Sequence, residues 1–160
     1  MAIWQYHLNI IPKTSVADKN GIITKLVINS EDQVTAWKKN TSVSVDLISK
    51  QIDKYVPRSV WNKKNSGIIS WKGNTNNKED NDVLISYDLT TNRISGFQFR
   101  TDTRDKHNAT KFLSGILNIC KQNNLIVFNL DDVIMEPHLQ LILNDLKTSN
   151  AQNFISRITG

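Results

Sequence analysis

Apolar and polar residues alternate from Ile3 to Ile11, with Trp4, Tyr6 and Leu8 on one side and Ile3, Gln5, His7 and Asn9 on the other, which predicts a first strand ended by Pro12. Between Lys13 and Asn29 the pattern is mixed. A short helix is expected up to Asn20-Gly21, beside an apolar patch at Ile22, Ile23, Leu26, Val27 and Ile28. Val45, Ile48, Ile52, Tyr55 and Val56 recur at spacings of three and four behind Ser42 or Ser44, which marks a capped amphipathic helix closed by Pro57. Gly67 to Trp71 reads as a short strand, and residues 73–82 are polar without periodicity, the pattern of a mobile loop. Val83 to Tyr87 and Ile94 to Thr101 then form a hairpin. Within its connection Asp88 is placed to hydrogen-bond the turn backbone, and Asn92 to take the left-handed conformation.

Phe112, Leu113, Ile116, Leu117 and Cys120 define a central helix, with Asn108 or Asp105 as its cap and Asn123-Asn124 as its stop. Leu125 to Leu130 is a buried strand, Pro137 opens a helix carrying Leu139, Ile142, Leu143 and Leu146, and Ala151, Phe154, Ile155 and Ile158 repeat the helical spacing after a break at Ser149-Asn150. The resulting order is β, α, β-β-β, α, β, α, α. This is an α+β pattern, with a meander-containing antiparallel sheet of about five strands and helices packed on it, in one domain over residues 1–160.

Composition agrees with a packed core: hydrophobic residues make up 39% of 160 and charged ones 22%, with 3 Pro and 6 Gly. Such a chain buries about two-thirds of its unfolded surface without staples. The single cysteine, Cys120, is expected as a buried, inert thiol, and the lack of any disulfide fits a reducing, cytoplasmic compartment. Gln5, His7 and Asn9 interrupt the apolar start, so no signal peptide is expected. No apolar run approaches the roughly 20 residues that cross a bilayer, so no membrane partner is expected either.

Charge is unevenly spread. Residues 1–80 hold twelve Lys/Arg against seven Asp/Glu, a difference of +5, whereas residues 81–160 hold eight of each. Much of the excess lies between Lys38 and Lys64, where Lys38, Lys39, Lys50, Lys54, Arg58, Lys63 and Lys64 face only Asp46 and Asp53. The simplest reading is a solvated face; a nucleic acid or an acidic protein would also be attracted to it. Trp37 and Trp61 flank this segment and are expected to be partly exposed, as an interface would use them.

A second candidate is the polar run from Arg100 to His107, where a strand end meets a helix start. Arg100 and Asp102 alternate onto the face opposite Phe97 and Phe99, to form an exposed ion pair or a polar cleft with Arg104 and His107. Surface pairing and helix capping are the bland reading of the same residues, and an enzyme site there is a lesser alternative. Glu79, Asp80 and Asp82 lack the spacing of a calcium loop and are expected at a flexible tip. His7, His107 and His138 lie too far apart for a metal motif, and no nucleophile elbow or phosphate loop is present, so neither a metal nor a cofactor is expected.

The opening Ile3-Trp4-Gln5-Tyr6 with Ile11-Pro12-Lys13, the Arg-x-Asp-x-Arg of residues 100–104, and Glu136-Pro137 followed by Ser149-x-Ala151-x-x-Phe154 resemble small uncharacterised bacterial proteins. They are also broadly similar to immunity proteins of bacterial toxin systems. That resemblance implies a non-catalytic cytosolic protein that binds and neutralises another protein. Many partners of basic nuclease toxins are acidic, and this basic chain departs from that pattern, which argues against a nuclease as the target. The surfaces expected to serve are Trp37, Lys38, Lys39 and Trp61, together with Arg100, Asp102, Arg104 and His107.

Overall fold

The computed structural model describes residues 2–39 and 43–159, so the alternative cap Ser42 lies outside the described residues. Six antiparallel-paired strands form one sheet in the order β2-β3-β4-β1-β5-β6, where β1 is Gln5–Pro12, β2 Ile68–Lys72, β3 Asp82–Tyr87, β4 Ile94–Asp102, β5 Leu125–Phe128 and β6 Ile134–Met135. Among the described residues five helices accompany it: α1 (Ser30–Ala36), α2 (Val45–Ile52), α3 (Lys106–Gln122), α4 (Leu139–Thr148) and α5 (Asn150–Thr159). The α+β class read from the sequence is the observed one, with one strand more than expected. None of the described helices is long and apolar enough to cross a membrane.

Sequence order explains the topology. β2, β3 and β4 follow one another as a meander, and the turn between β3 and β4 is held locally. Asp88 Oδ1 accepts from the amides of Thr90 (3.0 Å) and Thr91 (2.7 Å), while Asn92 takes φ 55°. β4 and β5 both pair antiparallel with β1, so they run parallel to each other, and α3 carries the chain across β1 between them. Asp105, rather than Asn108, caps α3 by accepting from the Asn108 amide at 2.8 Å.

Alternation decides what each face buries. Tyr6, Leu8, Phe97, Phe99, Val83, Ile85, Trp71, Leu125 and Val127 turn one way and pack against Ile48 and Ile52 of α2, Phe112, Leu113, Ile116 and Cys120 of α3, and Ile142 of α4. Phe99 and Phe112 meet edge to face with ring centres 6.0 Å apart. Burial in this core pushes the Cys120 thiol up to about 12, which keeps it protonated and unreactive. The opposite face carries a second, smaller core under the end of β1, β5 and β6, where Ile11, Ile126, Phe128 and Ile134 meet Val16, Ile28 and Ala36. β5 is thus buried on both faces and is apolar at all four positions.

Three expectations are corrected. Residues 13–24 hold no α-helix: after a 3-10 turn at Lys13–Ser15, the Asp18 side chain accepts from the amides of Asn20 and Ile22, and Ala17 pairs with Ile23 across a tight reversal. α1 was not expected; Asn29 caps it, accepting from Asp32 at 2.7 Å, and Glu31 and Asp32 sit in its first turn. The polar segment 73–81 is exposed over residues 74–79, but Asp80 and Asn81 at its end are buried rather than held out on a loop tip.

Both sheet edges are covered. Segment 57–62 lies along β2, with the Ser59 amide donating to the Ser70 carbonyl (2.9 Å) and Asn62 exchanging hydrogen bonds with Ser70. At β6, the Ile134 amide donates to Leu26 and Val27 bridges Val133.

Candidate functional site

The end of β4 is where the sequence placed its densest polar cluster. Asp102 closes that strand and is fully buried, at 0% exposure, so of the two arrangements expected it forms no exposed ion pair with Arg100, which pairs with Asp82 instead. Segment 73–81 folds over it, the Asp80 amide donates to Oδ2 (2.9 Å), and Asn81 Oδ1 accepts from the Asp102 amide (2.8 Å). Arg104 grips the same carboxylate from two nitrogens, Nε to Oδ1 at 3.0 Å and Nη2 to Oδ2 at 2.6 Å, and its own amide adds a bond to Oδ1 at 3.0 Å. The guanidinium stacks on Trp4, 4.5 Å from the ring centre, and donates onward to the Thr75 carbonyl (2.9 Å). Burial pushes the Asp102 carboxyl up, but the bonds from Arg104 and the backbone amides outweigh it and hold it below its ordinary value. His107, expected in this cluster, stands exposed on the first turn of α3 and makes no hydrogen bond to Asp102 or Arg104.

Beside this knot a row of alternating charge crosses four strands. Lys72, Asp82, Arg100 and His7 occupy successive paired positions on β2, β3, β4 and β1. Asp82 receives Lys72 at 3.5 Å and Arg100 at 3.1 Å, Lys72 also pairs with Asp80, and Gln5 donates to Asp82 at 3.1 Å. Burial and the neighbouring Arg100 guanidinium lower the His7 pKa, so the imidazole is neutral at pH 7. Asp82 thus stands between the two cations Lys72 and Arg100, and the buried His7 Nε2 at the end of the row has no hydrogen-bond partner among the described residues. Among the described residues no three His, Cys, Asp or Glu side chains converge as metal ligands would.

The basic segment divides in two. Trp37, expected to be partly exposed, is buried at 3%, because the Ile10 carbonyl lies past the last β1–β4 pair and accepts from the indole Nε1 at 3.2 Å. Lys38 and Lys39 follow it on the surface. Trp61 takes the opposite course: it is 62% exposed and the adjacent Val60 97% exposed. Both project between Ser59 and Asn62, the two residues bonded to Ser70, so the loop that displays them is fixed at each side of the tip.

The base of the loop is fixed as well. Arg58 forms a two-point pair with Asp53 (2.8 and 3.0 Å), and Trp71 Nε1 donates to Asp53 Oδ1 at 2.8 Å. Hydrogen bonds from Arg58 hold the Asp53 carboxyl below its ordinary value. Lys63 and Lys64 next to the tip are exposed and make no ion pair among the described residues. The sequence-predicted residues therefore do not form one site: Trp61 displays an apolar, basic surface, while Asp102 and Arg104 serve an internal knot. Compared with family models, curated proteins and solved structures, the chain shows no match.

Proposed function

We propose that the chain is a non-catalytic cytoplasmic binding protein, immunity-like in action, that holds another protein through the Val60–Trp61 loop and thereby neutralises it. The carrying observation is the exposure of Val60 and Trp61 on a loop pinned at Ser59 and Asn62. A rigid aromatic-aliphatic pair loses little conformational freedom on binding, and such anchors dominate interface energetics. The free charges of Lys63 and Lys64 favour a partner whose facing surface is acidic. The strand-end cluster supports the non-catalytic half of the proposal, since Asp102 is saturated by Arg104 and two backbone amides and offers no open face to a substrate.

Affinity capture from the source cell, run with wild-type chain and with Trp61→Ser at two salt concentrations, tests the reading. A protein retained by the wild type and lost by Trp61→Ser, with only moderate salt sensitivity, is the expected result. Retention by both chains refutes the assignment of the surface. Recovery of nucleic acid with a steep loss on raising salt refutes the protein partner, because each neutralised phosphate releases counterions.

A further inference from the structure

On the β5 side of β1 backbone pairing stops short and leaves a gap. β1 runs Gln5–Pro12, yet β5 pairs with it only from Asn9 to Pro12. The Trp4 carbonyl accepts from the Thr103 amide (3.0 Å) on the β4 side, so alternation turns the backbone groups of odd-numbered residues in this strand toward β5. β5 leaves that line at Asn129, whose Oδ1 accepts from the amides of Asp131 and Val133 at 3.0 Å each, and Asp132 reverses the chain with φ 62°. The His7 N–H and C=O and the Gln5 C=O therefore face a vacant strand position.

That position opens into a cleft of about 570 Å³ between β1, the Asn129–Asp131 turn and the junction of α4 with α5. Among the described residues its ionisable lining is Asp131, Asp145, Tyr6 and the neutral His7, with no Lys or Arg, in a chain whose net charge is +5. Asp145 is held in place: Tyr6 Oη donates to one oxygen at 2.6 Å and Asn129 Nδ2 to the other at 2.9 Å. Burial and Asp145 push the Tyr6 phenol up, so it stays a donor across the working pH range. Each carboxylate oxygen keeps lone-pair capacity for a further donor. Ile3 and Leu130, both more than half exposed, add apolar wall.

We propose that this cleft takes an extended basic peptide segment as an added strand, its backbone pairing with Gln5 and His7 and its Lys or Arg side chains reaching Asp131 and Asp145. Strand addition draws affinity from main-chain hydrogen bonds and specificity from alternate side chains, which are the two things the gap and its acidic lining provide. The site lies on the β5 side of β1, whereas the Val60–Trp61 loop covers β2 at the far edge of the sheet, so the two surfaces stand or fall separately.

The test is a fluorescence anisotropy titration with a capped, labelled Lys-Val-Lys-Val-Lys-Val peptide. Comparison peptides carry N-methyl groups on alternate residues in either register, or Glu in place of Lys. Methylation in one register removes the amides that face β1 and is expected to weaken binding at least tenfold, while the other register binds like the parent. The Glu peptide is expected not to bind, and Asp131→Lys, an exposed substitution, to weaken the Lys peptide severalfold at an unchanged melting temperature. Absence of saturable binding by the Lys peptide overturns the proposal, and so does binding that fails to distinguish the two methylation registers or the two charges.

Discussion

Replacing Asp102 with alanine removes the group on which the loop 73–81, the end of β4 and Arg104 converge. Four donors lose their acceptor: Arg104 Nε and Nη2 and the amides of Asp80 and Arg104. Breaking a buried ion pair from one side costs about 3–5 kcal/mol, and each orphaned buried amide about 1–3. Those figures are upper bounds here. The Arg104 side chain is 26% exposed, can turn toward water, and keeps its contacts with Trp4 and the Thr75 carbonyl. A net loss of about 3 kcal/mol is the expected result. For a chain of this size that lowers the melting temperature by roughly 6–12 °C. Urea denaturation should show a lower midpoint at an unchanged slope, since the surface exposed on unfolding is unaltered. Asp102→Asn keeps one acceptor oxygen and is expected to lose about half as much. A midpoint for Asp102→Ala within error of the wild type would refute the knot as a structural element.

Two further outcomes follow from the same geometry. A Cβ on Gly73 would run into the backbone carbonyl of Glu79, which cannot swing aside as a side chain could, so Gly73→Ala should unseat the loop and cost about 1–3 kcal/mol by urea titration, with faster amide exchange at Asp80. Acidification should act in two windows. His7 has a lowered pKa in the folded chain, so the unfolded chain takes up its proton first and stability falls as pH drops below about 6.5. The Asp102 contribution, from a carboxyl likewise held low, is complete above about pH 4 and disappears as pH falls through its folded value. Urea midpoints at pH 7.5 and 5.5 should therefore differ less for His7→Gln than for the wild type.

The parts of the fold legible in the sequence are those whose causes are local. Asp88 and Asn92 carry their turn within six residues, and α3 carries a full apolar stripe over seventeen. α1 escaped because seven residues with one buried position make no periodic signal; its cap Asn29 and the acidic pair Glu31-Asp32 were the available clue. β6 has two residues and depends on pairing with β5, so nothing in its own pattern announces it. The site was read less well than the fold for the same reason. Whether Asp102 faces water depends on a loop some twenty residues earlier, and the burial of Trp37 depends on a carbonyl that β4 happens not to reach. Polarity fixed which residues were chemically capable, but non-local partners fixed which were free.

The division of labour between the edge loop and the knot is tested most directly by calorimetric titration of the captured partner into purified wild type, Trp61→Ser and Asp102→Ala. Trp61→Ser is expected to weaken binding at least tenfold, as loss of an interface anchor does, with its melting temperature within about 2 °C of the wild type. Asp102→Ala should melt early yet bind with wild-type affinity at a temperature where it is folded. Wild-type affinity in Trp61→Ser, or lost affinity in folded Asp102→Ala, would contradict the assignment.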